Sequence, residues 1–426
     1  MPIIERLEGW EILDSRGRPT VKALCRFTNG FQGVASVPSG ASTGTAEAVE
    51  LRDEEPKRYR GLGCRKAAGH ISKEISNALA GRALWTQAEF DQALIRLDGT
   101  ADKRRLGANA LLACSLAFAR ANAVSRGLPL YLIFSELAKR TLYFLPRPTI
   151  NLFSGGKYAG SQVPVQDVLV VPASARTMAD ALEMAWEVYQ CAAELGQEKY
   201  GVRPLTADEG GLAPPFPSVE AMLDDAMESI RRAGLKPGRD VALAMDVASS
   251  HFYVDGCYRL GEETLDSGQM IERLGVWLDH YPIVSIEDGL AEADWENWPR
   301  LVSRVAGAAL VLGDDLLCTN PTLIRRAIAE RAADALLLKV NQIGTLIEAS
   351  EAYELARAAG WRVTVSARSG ETEDNWLADL AFGWQGDQIK IGSLTQSERL
   401  AKYNRLLEIE TATHLPLVDW PRCEKR

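Results

Sequence analysis

Val241-Ala-Leu-Ala-Met-Asp246, Ile283-Val-Ser-Ile-Glu287 and Leu310-Val-Leu-Gly-Asp314 share one design, a short apolar run that ends in a carboxylate. Runs of this length match buried strands, and a strand covered on both faces shows no polar alternation. Ala335-Leu-Leu-Leu-Lys339, Arg362-Val-Thr-Val-Ser366 and Gln388-Ile-Lys-Ile391 continue the series, and Val165–Val171 precedes it. Amphipathic segments lie at 178–195, 218–233, 268–280, 320–333, 344–359 and 371–384. One opens with Asn320-Pro321, an N-cap residue followed by proline in the first turn. Strands alternating with helices predict a parallel sheet with crossover helices. Roughly seven or eight such units fit a closed (β/α)8 barrel better than an open sheet.

The first part of the chain reads differently. Residues 3–12, 19–27 and 31–37 read as strands joined by turn residues such as Asn29-Gly30. A helix is predicted over 106–126, stopped by Gly127-Leu128-Pro129. Strands followed by helices predict an α+β domain. The expected division is an N-terminal domain over 1–140 and a barrel over 141–426.

Composition agrees with a folded chain of two domains. The 426 residues are 46% hydrophobic and 25% charged, which excludes disorder as the main state. Lys plus Arg number 48 against 57 Asp plus Glu, a net charge of −9, so neither nucleic acid nor an anionic membrane is expected as a partner. The seven cysteines are scattered and never spaced as CxxC, which argues against a disulfide framework or zinc site and fits a reducing cytoplasm. Glu5, Arg6 and Glu8 do not suit a signal peptide. The longest apolar stretch, Leu106 to Ala119, is too short to span a bilayer.

Strand C-termini in a barrel converge on one face, where barrel active sites lie. Asp246, Glu287 and Asp314 would meet there and repel one another unless a hard divalent cation joined them, and Mg2+ is the expected ion. Read singly, each could be a strand-end acid facing water. The next three strands carry Lys339, Arg368 and Lys390. An acidic half beside a cationic half suits an anionic substrate. Lys339, near other cations, is expected to have a lowered pKa and to act as a base. Arg368 with Ser369 suits a phosphate or phosphonate group. Pro38–Gly44 and Ser154–Gly160 read as glycine-rich lids or anion-cradling loops, and Asp208-Glu209 adds an acidic pair. None of His70, His251, His280 and His414 falls in a lid or strand-end motif, so the sequence singles out no histidine for the site.

Taken together, Asp14-Ser-Arg-Gly-Arg-Pro-Thr20, Pro38–Gly44, Asp208-Glu-Gly-Gly211, Ser285-Ile-Glu-Asp-Gly289, Leu338-Lys-Val-Asn-Gln-Ile-Gly344 and Arg368-Ser-Gly-Glu-Thr-Glu-Asp374 make the chain resemble enolases over essentially its whole length. The resemblance implies an N-terminal α+β capping domain on a modified (β/α)8 barrel, in a homodimer or larger even homo-oligomer. It implies Asp246, Glu287 and Asp314 as ligands of a first Mg2+, and Ser42 as a lid ligand of a second that arrives with substrate. Lys339 takes the place of the base, Lys390 that of the lysine stabilising an enediolate, and Glu209 that of the acid assisting hydroxyl departure. Gln166, Arg368 and Ser369 match substrate-binding positions.

The chain departs from this pattern in one region. Lys157 and Tyr158 stand where the resemblance expects Glu-His, Asp167 where it expects Glu, and Ala367 where it expects His. The metal and proton-abstraction positions are retained. The changes widen the pocket and add positive charge at Lys157. They point first to a specialised relative that forms carboxyphosphonoenolpyruvate, as in phosphinothricin-type pathways, from a cytidine-nucleotide-activated phosphonoformate and a three-carbon glycolytic unit. The alternatives are an atypical phosphopyruvate hydratase acting on 2-phosphoglycerate and a non-catalytic binding protein.

Overall fold

The computed structural model describes residues 3–41, 43–83 and 86–421, apart from the side chain of Tyr158. Strands β1 (Ile4–Leu13), β2 (Pro19–Phe27) and β3 (Gln32–Ser36) form an antiparallel sheet in that order. Val21, Ala23, Cys25 and Phe27 alternate along β2 and are fully buried, the period expected of a strand with one face on a core. That face packs on the helix Ala108–Arg126, which ends at Gly127 in the left-handed region with φ 63°. Backbones approach closely here. A Cβ on Gly33 would lie 2.2 Å from the Ala121 nitrogen and 2.3 Å from the Ala117 carbonyl oxygen.

The remainder builds the barrel. β4 (Arg147–Ser154), β5 (Asp167–Val171) and β6 (Ala242–Asp246) come first. A small antiparallel sheet follows: β7 (Tyr253–Val254), β8 (Cys257–Leu260) and β9 (Glu263–Leu265). Then come β10 (Ile283–Glu287), β11 (Leu310–Gly313), β12 (Ala335–Leu338), β13 (Arg362–Ser366) and β14 (Gln388–Gly392). The closed order is β10-β11-β12-β13-β14-β4-β5-β6.

The expected barrel is present, with two corrections. It is not wholly parallel, because β5 runs antiparallel to both β4 and β6. Residues 155–166 join β4 to β5 with only the turn Gly156–Ala159 and no crossover helix, and such a link returns the chain in the opposite direction. Both helices of this region, Met178–Tyr200 and Val219–Arg232, follow β5 instead. The sequence reading also omitted β4, whose Arg147, Thr149 and Asn151 interrupt its apolar run although all eight residues are buried.

Polar contacts tie the N-terminal sheet and helices to the barrel. Asp374 accepts from Arg120 Nη1 and from the Ser36 amide, both at 2.9 Å, and Lys103 Nζ lies 2.8 Å from Glu348. No helix among the described residues is long and apolar enough to cross a membrane.

Candidate active site

Strand register places the charged groups. β6 and β10 pair Asp246 with Glu287, and β13 and β14 pair Ser366 with Lys390. Around the mouth, β6, β10 and the end of β11 carry Asp246, Glu287 and Asp314. The adjoining β12, β13 and β14 bring Lys339, Arg368 and Lys390. The acidic and cationic arcs therefore meet in one crevice, which Gln166 and Glu209 also line.

Lys390 Nζ donates to Asp246 Oδ2 and Glu287 Oε2, both at 2.7 Å. Lys339 Nζ donates to Asp314 Oδ2, and Gln342 Nε2 donates to Asp314 Oδ1 at 2.9 Å. Burial alone would raise Asp314, but Lys339 and, beyond it, Arg368 and Lys390 hold its carboxyl below the ordinary value. Glu287 is pushed well up by burial and by Asp246 beside it.

The expected lowering of Lys339 is not found. Burial does press its ammonium toward the neutral form, and Arg368 and Lys390 add to that. The touching Asp314 and nearby Glu287 outweigh them, so its pKa is raised. The sequence reading counted the neighbouring cations and missed the closer anion. Lys390 is likewise raised: burial opposes its charge, and Asp246 and Glu287 more than restore it.

The three predicted metal ligands are neighbours, since the charges of both Asp246 and Asp314 are felt at Glu287, but each is engaged by other groups. Asp246 and Glu287 converge on Lys390, whereas Asp314 has carboxylate oxygens within 4.8 Å of those of Asp288 and Asp315. Asp288 has a separate task, accepting the amides of Asp314 and Asp315 at 2.9 and 2.8 Å, and so fixes the loop that presents Asp314. The residues suit a hard cation. The donors are all carboxylate oxygens, and Glu287 Oε1 is buried with no hydrogen-bond partner among the described residues.

Gln166 Nε2 donates to Asp246 Oδ2 at 2.9 Å. Asp167 accepts from Ser154 Oγ at 2.6 Å, and burial together with Glu209 raises its carboxyl well above the ordinary value. Arg368 is gripped by Glu47, with both Nη1 and Nη2 at 3.1 Å, and reaches Asn341 Oδ1 at 3.1 Å. Ser369 Oγ accepts from Arg16 Nη1 at 3.2 Å and from the Ala41 amide at 3.1 Å. Glu209 accepts from Asn151 Nδ2 at 3.4 Å. Ala367 lines the crevice with only a methyl group. Lys157 is exposed on the short turn Gly156–Ala159, outside the lining. Ser42 and the Tyr158 side chain lie outside the described residues.

Several neighbours received no role from the sequence, although Arg16, Asn341 and Gln342 lie in the motifs above. Glu47, Asn341 and Gln342 hold the charged groups, and Arg16 meets Ser369 from the N-terminal domain. Asn341 and Gln342 follow Lys339 by two and three residues, a proximity that could have drawn notice. The sequence singled out no histidine, yet one reaches the site. His251 lines the same crevice, half-buried, on the turn Ser249–Phe252 after β6. Burial lowers its pKa, Asp246 opposes that, and Lys157 adds to it. Its sequence neighbours gave no sign, because the chain bends back only after the strand ends.

Barrel, cap and divided mouth define an α/β protein of the modified (β/α)8-barrel type, with acids and cations gathered in one crevice. Comparison with known families narrows the class. "Enolase, N-terminal domain" matches residues 4–134 and "Enolase, C-terminal TIM barrel domain" matches residues 142–414. The chain is also 46% identical, over 411 residues, to Enolase 1 of Methylococcus capsulatus strain Bath, covering 96% of this chain and 97% of that protein. The chain belongs to the enolase family.

Proposed function

We propose that the chain is a Mg2+-dependent phosphopyruvate hydratase, converting 2-phosphoglycerate to phosphoenolpyruvate and water. The observation that carries this reading is the placing of Lys339 and Lys390 against Asp314, Asp246 and Glu287 in one buried mouth that Glu209 also lines. The 46% identity to a protein named Enolase 1, over 96% of the chain, supports it.

In this reading Arg368 and Ser369 hold the phosphoryl group, and Lys390 faces the substrate carboxylate. Lys339, in its neutral form, takes the proton from C2. The electron pair left behind forms the C2–C3 double bond as the C3–O bond breaks. Glu209 protonates the departing hydroxyl, which leaves as water. Lys390 stays charged and offsets the negative charge that collects on the carboxylate. Asp246, Glu287 and Asp314 would hold the ion, which would add positive charge at the carboxylate and compete with Lys339 for Asp314. The division near residue 140 and assembly as a homodimer or larger even homo-oligomer belong to the same proposal.

A second reading, synthesis of carboxyphosphonoenolpyruvate, rests on Ala367, whose methyl leaves room in the crevice. One assay separates the two. With Mg2+, 2-phosphoglycerate alone should yield phosphoenolpyruvate at turnover numbers of the ordinary enzyme range, ~1–1000 per second. Chelation should abolish that activity and added Mg2+ restore it. Turnover only in the presence of a cytidine-nucleotide-activated phosphonoformate would establish the second reading instead, and none with either would leave a binding role.

A further inference from the structure

His251 has no part in the steps just described, yet it lines the crevice beside Gln166, Asp246 and Ala248. Its position is fixed by backbone ties. The Val247 amide donates to the Glu287 carbonyl at 3.0 Å and the Ser249 amide to the Asp288 carbonyl at 3.1 Å. Ser249 Oγ donates to the Gly289 carbonyl at 2.9 Å. Ala248 turns the chain in the left-handed region, with φ 49°. Phe252, one residue on, is buried against Tyr258. A turn secured this way points its side chain reproducibly, as a binding residue requires.

The barrel order gives the direction. β14, β4 and β5 separate β13 from β6 one way round, and β12, β11 and β10 the other. His251, after β6, therefore stands across the mouth from Arg368 and Ser369, after β13. A substrate with its phosphoryl group, borne on C2, on Arg368 and Ser369 would turn C1 or C3 toward the His251 side. Imidazole carries both an N–H donor and a ring-nitrogen acceptor when neutral, which matches a hydroxyl group. Lys157, whose charge is felt at His251, can only donate.

We propose that His251 is a substrate-contacting, specificity-setting residue that hydrogen-bonds the hydroxyl-bearing end of the three-carbon substrate, opposite the phosphoryl site. The proposal rests on the hydratase reading above. It supplies an imidazole to a crevice in which Ala367 stands where the family resemblance expects histidine.

Two measurements test it. In steady-state kinetics with Mg2+, His251→Ala should raise KM for 2-phosphoglycerate about 10-fold, the loss of one hydrogen bond. KM for phosphoenolpyruvate, which lacks the hydroxyl, should change less, and His251→Asn should recover part of the loss. In 15N-labelled Lys339→Ala protein, where 2-phosphoglycerate is expected to persist, the His251 ring signals should move on adding Mg2+ and 2-phosphoglycerate, and less with phosphoenolpyruvate. The four histidines make those signals assignable through His251→Asn. Wild-type kinetics in His251→Ala, or ring signals unmoved at saturating 2-phosphoglycerate, would overturn the inference while leaving the hydratase reading intact. If His251→Ala does not fold, the ring signals decide. A wild-type protein that neither binds nor turns over 2-phosphoglycerate would overturn the hydratase reading and this inference with it.

Discussion

Lys339 meets two opposed demands. A base must shed its proton, yet the Asp314 carboxylate beside it keeps that proton on. Replacing it with alanine removes the proposed base and leaves Asp314 bonded to Gln342. Lys339→Ala should lower kcat by about 100- to 10,000-fold with an unchanged circular dichroism spectrum. Turnover near wild type would refute the assignment. Asp91, on the helix Gln87–Asp98 and outside the lining of the mouth, gives a second test at this scale. Its carboxylate accepts from Gln87 Nε2 and from the Ile347 amide, both at 2.9 Å, and burial pushes it up to about 7 from an ordinary 3.8. A folded-state pKa above the unfolded one means the folded protein holds the proton more tightly. That stabilisation is full below about pH 4 and is lost as pH rises through about 7. Wild type should therefore lose ~1 kcal/mol or more relative to Asp91→Asn between pH 5 and pH 8 in urea denaturation. Parallel pH profiles for the two proteins would sink the argument.

At the scale of elements, local signals were largely readable. Asn320 accepts from the Thr322 amide, capping the helix Pro321–Glu330 as the Asn-Pro pair predicts. Gly127 closes the helix Ala108–Arg126 at the stop signal. Position 33 could not be read this way, since the reason for glycine there is the nearness of another element. Gly33→Val would push a side chain into the backbone of the helix that β3 packs on. It should cost about 1–3 kcal/mol of stability, seen as a lowered midpoint of thermal unfolding. An unchanged midpoint would mean that β3 shifts freely. The reversed direction of β5 was hidden for a related reason: a buried strand has the same apolar run whichever way it points.

Across the whole molecule, the capping sheet and helices join the barrel through a few buried polar anchors. Asp374 is one, bound by Arg120 and the Ser36 amide. Asp374→Ala would leave a partly buried guanidinium and an amide without that acceptor. It should destabilise the protein by about 2–4 kcal/mol, measured by denaturant midpoint. A loss within a few tenths of a kcal/mol would show that the joint is held by apolar packing instead.

The amino-acid sequence by itself determined the alternation of strands and helices, and with it the closure of a barrel. It also set the charges at strand ends, because side-chain type and spacing are local properties. Only the tertiary structure decided which charges touch. Lys390 bridges Asp246 and Glu287, and Lys339 meets Asp314, so both lysines hold their protons more firmly than a count of neighbouring cations suggested. Glu47 reaches Arg368, and a turn brings His251 to the mouth. Electrostatic interaction weakens with distance through space, and separation along the chain does not fix that distance.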